Sequence, residues 1–113
     1  MIYYFAHPYS GNEEANHQDC CYRTAQLLKQ DYLVFSPICH SHHLDIFLEW
    51  NWEQWLEHCT RIITRINFDG IILAPGWEKS RGCCAEYKLF EAANKPVLYY
   101  EDIIKEGGED EQA

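Results

Sequence analysis

Asp69-Gly70-Ile71-Ile72-Leu73-Ala74-Pro75-Gly76-Trp77-Glu78-Lys79-Ser80-Arg81-Gly82-Cys83-Cys84-Ala85-Glu86 is the stretch from which the rest of the chain can be read. Four consecutive apolar residues, Ile71 to Ala74, lie between Asp-Gly and Pro-Gly. A short apolar run bounded by turn residues predicts a strand buried on both faces, as in a parallel sheet covered by helices. From Ser80 the period changes. Cys83, Glu86, Tyr87, Phe90 and Ala93 recur at helical spacing, with Ser80 placed to cap the helix. Strand, Gly-containing turn and helix in that order aim backbone N–H groups and the positive end of the helix dipole at an anion beyond the strand. On this phasing Glu86 shares a stripe with apolar residues. An ionised carboxylate is costly there unless it is paired or has a task, so Glu86 is a candidate nucleophile or base. A rival stripe of Ala85, Leu89 and Ala92 would leave it partly exposed.

Toward the N-terminus, Ile2 to Ala6 reads as a first strand and His7-Pro8-Tyr9-Ser10-Gly11-Asn12 as the loop leaving it. Ser10 or Asn12 can cap a helix that runs to about Gln30, with Tyr22, Ala25 and Leu28 toward the core. Tyr32 to Phe35 is a second strand, stopped by Pro37, and the βαβ start implies a parallel pair. Between Pro37 and about Glu49 a long loop carries His40, His42 and His43 over the same crevice as Glu86. Trp52, Trp55, Leu56, Cys59, Ile62, Ile63 and Ile66 share a helical period from about Trp50 to Ile66, and these aromatics read as core. Lys95 to Tyr100 gives a last strand with Pro96 at its start. About four to five parallel strands with helices on both faces make an open α/β sheet, flavodoxin-like or Rossmann-like. Ligands bind such sheets outside the carboxyl ends of the strands. One domain over residues 1–105 is expected, with an acidic disordered tail at 106–113.

A formal charge of −9 disfavours a nucleic-acid partner, whose phosphates demand a basic face. No apolar run approaches the length of a membrane span, and Met1-Ile2-Tyr3-Tyr4-Phe5 lacks the basic flank of a signal peptide. A cytoplasmic protein without membrane contact is therefore expected. The six cysteines read as reduced thiols. Cys83 and Cys84, adjacent near a helix N-terminus, read as small apolar-like residues rather than reactive ones. Dinucleotide and P-loop fingerprints are absent, and no cofactor is expected. His40, His42 and His43 are followed by no partner at zinc-type spacing, so no metal is expected. Tyr4, at the end of the first strand, reads either as a phenol that donates a hydrogen bond to orient Glu86 or as a core tyrosine, while Asp69 reads as a turn residue.

The segments Tyr4-Phe5-Ala6-His7-Pro8-Tyr9-Ser10 and Phe35-Ser36-Pro37-Ile38, the helix with Trp52 and Trp55, and above all Pro75-Gly76-Trp77-Glu78-x-Ser80-x-Gly82-x-x-x-Glu86 carry a resemblance. Over residues 3–100 the chain resembles the nucleoside 2-deoxyribosyltransferase-like superfamily, which includes the 2′-deoxynucleoside 5′-monophosphate N-glycosidases. The resemblance implies a hydrolase or transferase acting on the N-glycosidic bond of a nucleoside or nucleotide. It implies Glu86 as the nucleophile, Tyr4 as the residue that orients it, and Ser80 with the helix N-terminus as the holder of a 5′-hydroxyl or 5′-phosphate. Where the glycosidases have an Asp that protonates the departing base, counting back from Asp69, this chain has His58. That role falls to His58 or to a histidine of the 40–43 loop. The Gly/Arg-rich phosphate loop after the first strand is missing, and Ser10 and backbone N–H groups stand in its place. Gly82, His7, Ser10, His40, His42 and Trp77 complete the expected substrate contacts. A homodimer or larger homo-oligomer is implied as well. Cleavage of an NAD-like or cyclic nucleotide signal, a non-catalytic nucleotide-binding module, and an interaction protein with Trp50 and Trp77 exposed over a filled crevice are the alternatives.

Overall fold

The computed structural model describes residues 1–107. The tail expected to be disordered lies, from residue 108 on, outside the described residues, whereas Glu106 and Gly107 close a helix.

Four parallel strands run β1 (Ile2–Ala6), β2 (Leu33–Phe35), β3 (Gly70–Leu73) and β4 (Val97–Tyr99), in the spatial order β2-β1-β3-β4. This is the order of an open, flavodoxin-like α/β sheet. β3 is buried along its whole length between β1 and β4, as its uninterrupted apolar run predicts. Successive side chains alternate across the sheet. Tyr4, Ala6, Ile71 and Leu73 enter one core with Ile63 of α4 (Trp52–Arg65) and with Cys83 and Phe90 of α5 (Arg81–Ala92). Phe5, Ile72 and Ala74 enter the other, with Cys20 and Leu27 of α1 (Glu13–Lys29) and Tyr100 and Ile103 of α6 (Tyr100–Gly107). Helices thus cover both faces.

Two glycines and one aspartate fix the ends of β3. A Cβ on Gly70 would stand 2.7 Å from the Pro96 carbonyl oxygen, so only glycine lets β4 approach here. Gly76 turns the chain at a φ of +86°, in the left-handed region. Asp69 is indeed a turn residue: its Oδ2 accepts the Ile2 N–H at 2.7 Å and joins the amino ends of β1 and β3.

Five expectations need correction. The 38–48 segment is not a loop but two short helices, α2 (Pro37–Ser41) and α3 (Asp45–Leu48), joined by a 3-10 turn. Pro37 starts α2 rather than only ending β2, and Ser36 caps it by accepting the Cys39 N–H at 3.1 Å. In α1 the buried face is His17, Cys20 and Leu27, while Tyr22, Ala25 and Leu28 are exposed. Trp52 and Trp55 are half-buried instead of core, and Ile66 is exposed. Tyr100 belongs to α6, whose amphipathic turns were absent from the sequence reading.

Candidate active site

At the carboxyl ends of the strands, next to the β1–β3 switch point, lies a cavity of about 320 Å³. Its floor holds Glu86. Ser80 caps α5 by accepting the Cys83 N–H at 3.2 Å. Glu86 then falls on the same helical face as Cys83 and Phe90, and all three are buried. The rival stripe is excluded: Ala85 and Leu89 are only half-buried and Ala92 is exposed.

The buried Tyr4 hydroxyl donates to Glu86 Oε2 at 2.6 Å. Burial raises the Glu86 pKa to about 7, and the Tyr4 hydrogen bond works against that rise. Tyr4 itself is pushed well above the usual phenol value, by burial first and by the adjacent Glu86 next, so it stays a donor. Cys59 of α4 also lines the cavity, and burial followed by the Glu86 charge moves its thiol up to about 11. For the same two reasons Cys83 rises to about 12, which keeps it inert.

The opposite wall comes from the loop after β1 and from α2 and α3. His7 is buried, with Nδ1 2.7 Å from the Pro8 carbonyl and Nε2 2.7 Å from Asp19 Oδ2. Arg23 donates to the same Asp19 oxygen at 2.7 Å. His42 Nδ1 lies 2.7 Å from the Tyr9 hydroxyl. Asp45 Oδ1 accepts the Trp55 indole N–H at 2.9 Å. Trp50, Trp52 and Trp55 close the third side, and the Arg81 guanidinium stacks 3.7 Å above the Trp52 ring.

Of the residues expected at the site, Glu86, Ser80, Gly82, His7, Ser10 and His42 line this one cavity, and Tyr4 sits behind Glu86. The other three lie away from it. His58 borders a separate depression with Trp50, Gln54, Glu57 and Arg61. One residue along a helix turns the side chain by about 100°, so with Cys59 aimed at the cavity His58 faces elsewhere. His40 is exposed, with Nδ1 3.0 Å from Ser41 Oγ, and its ring meets Phe35. Trp77 packs on Tyr87 beside the first core. Trp50 and Trp77 are both half-buried and the cavity is open, which does not fit a role resting on exposed tryptophans over a filled crevice. Asp45, Glu13, Tyr9 and Cys59 line the cavity and were not anticipated. Only Cys59 has a signal in the sequence, the helical period it shares with Trp52 and Trp55, and that period reads equally well as core.

A family described as a domain of unknown function, DUF4406, matches residues 1–99. The chain belongs to the DUF4406 family. No curated protein matches it. The DUF4406 match runs from β1 to β4 and takes in every residue that lines the cavity, whereas α6 falls outside it. Among the described residues of this DUF4406 chain, no helix is long and apolar enough to cross a membrane.

Proposed function

We propose that the protein breaks the N-glycosidic bond of a nucleoside or nucleotide through a covalent glycosyl ester on Glu86. The observation that carries this reading is the buried Glu86–Tyr4 pair on the floor of an open cavity at the strand ends. A carboxylate freed of water is a stronger nucleophile, and a pKa of about 7 leaves a large ionised fraction near neutrality. In the first step a Glu86 oxygen bonds to the anomeric carbon as the bond to the base breaks. The base takes a proton from His42 or Asp45, the titratable side chains that the 37–48 segment gives to the cavity wall. Water or a second base, giving up a proton to that same side chain, then attacks the same carbon and releases the Glu86 carboxylate, the two-step logic of a retaining glycosidase.

Three carboxylates, Glu13, Asp45 and Glu86, line the cavity, and among the described residues no Lys or Arg does. This charge balance favours an uncharged nucleoside over a 5′-monophosphate. The indole faces of Trp50, Trp52 and Trp55 suit a planar base.

The test is a panel of nucleosides, nucleotides and NAD incubated with wild type and Glu86→Gln, read by chromatography for free base. Base release that falls at least about a thousandfold in a folded Glu86→Gln variant is the expected result. Release should rise with pH through about 7 as Glu86 ionises, and Tyr4→Phe should move that rise to higher pH, because the Tyr4 hydrogen bond holds the Glu86 pKa down and its removal lets it climb. Release of nicotinamide alone would favour the NAD-like substrate. Saturable binding without turnover, unchanged in Glu86→Gln, would make the protein a binding module, a reading favoured by the position of His58 outside the cavity.

The assembly proposed with this activity is a homodimer or larger. Its support is the exposed apolar surface of α3, where Ile46 and Phe47, directly after Asp45 in the chain, are 73% and 85% exposed.

A further inference from the structure

We infer that Glu14, His17 and His42 form a binding site for one divalent transition-metal ion of the zinc class at the rim of the cavity. One ligand atom from each of the three lies within 4.8 Å of the others. Glu14 and His17 are three residues apart on α1 and therefore share a face, and His42 reaches them from the turn between α2 and α3.

The arrangement has the marks of a metal site. His42 Nε2 stands 3.1 Å from Glu14 Oε1. Two ligands held about 2.0–2.1 Å from zinc at the tetrahedral angle are about 3.3 Å apart, so this pair is already near its metal-bound spacing. His42 Nδ1 contacts the Tyr9 hydroxyl at 2.7 Å, the outer-shell partner that fixes a ligating imidazole with its other nitrogen bare. His17 is buried, its Nε2 lies 3.4 Å from Cys21 Sγ, and its Nδ1 has no hydrogen-bond partner. A buried polar atom left unmet is costly, and an ion on Nδ1 would satisfy it.

Two imidazoles and one carboxylate suit zinc, iron or nickel and not magnesium or calcium, which take all-oxygen sites. Three protein ligands leave a coordination position open. His42 also lines the cavity, so an ion held there would stand beside its wall. The rings of His17 and His42 are stacked, with centroids 3.9 Å apart and planes 15° apart, so binding tilts one ring until both lone pairs meet the ion. Ligation removes His42 from proton transfer and leaves that task to Asp45. The metal site itself stands whether or not the glycosidic reading holds.

The test is titration of the chelator-stripped full chain with Zn²⁺, and with Co²⁺ followed by absorption. One equivalent is expected to bind, and the cobalt form should lack a thiolate charge-transfer band in the near ultraviolet. Glu14→Ala and His17→Gln should each weaken binding by about tenfold or more, while the double change Cys21→Ser, Cys39→Ser leaves it unmoved. Glu14 is exposed, so its variant keeps the test decisive if His17→Gln fails to fold. Binding that is not stoichiometric, or that is unmoved in Glu14→Ala, overturns the site. A thiolate band lost with the cysteines would also overturn it, placing the ion on Cys21 and Cys39, whose sulfurs are 3.5 Å apart.

Discussion

Burial raises the Glu86 pKa from the ordinary 4.5 to about 7, against the opposing hydrogen bond from Tyr4. The folded chain therefore holds this proton more tightly than the unfolded one. The group's contribution to stability is greatest in acid and is lost as pH climbs from about 4.5 through about 7. At about 1.4 kcal/mol per pKa unit the loss is on the order of 3 kcal/mol. Glu86→Gln stays neutral and can still accept from Tyr4. Urea unfolding should find it more stable than wild type by up to about 3 kcal/mol near pH 8, with the gap closing toward pH 5. Equal stability of the two proteins at both pH values would show that the carboxylate carries no such penalty. Glu86 was legible in the sequence because an acid stood on an apolar stripe, a conflict between chemistry and place. His58 was not, because a position counted from Asp69 carries no information about which way a helix presents it.

At the scale of elements, two helix caps separate stability from chemistry. Ser80 caps α5 and lines the cavity. Asn51 caps α4 in a reciprocal box with Gln54, accepting the Gln54 N–H at 2.8 Å while Gln54 Oε1 accepts the Asn51 N–H at 2.9 Å, and is exposed. Ser80→Ala and Asn51→Ala should each lower unfolding free energy by about 1 kcal/mol. Only Ser80→Ala should also raise KM for base release, which thermal melts and steady-state rates on the same samples would check. The strands were readable because β3 is apolar throughout and Pro and Gly mark its ends. The 37–48 segment was not, since Ser36-Pro37 signals the start of a helix as well as the end of a strand. The face of α1 was misread for a related reason: Tyr22 and Leu28 are the large apolar residues, yet burial there falls on the smaller Cys20, on His17, and on Leu27. Size and hydropathy alone did not reveal which side the sheet would cover.

For the whole molecule, the order β2-β1-β3-β4 gathers three segments distant in sequence at one end of the sheet. The loop after β1, the α2–α3 segment and the start of α5 meet there, with α4 supplying the tryptophans. The same end carries the bare surface of Ile46 and Phe47. If a second copy covers it, wild type should elute as a dimer or larger in size-exclusion chromatography with light scattering, and Phe47→Glu should elute as a monomer with unchanged circular dichroism. A monomeric wild type at high micromolar concentration would remove that interface.

The chain has four tryptophans, and three of them, Trp50, Trp52 and Trp55, stand in the cavity wall. Indole emission responds to the polarity and quenchers around it, and here the Arg81 guanidinium over Trp52 and the Asp45 carboxylate on Trp55 are already in contact. Any molecule that enters displaces water from those rings, so the protein carries its own optical gauge of occupancy. Compounds can be screened against it unlabelled, before any reaction is known.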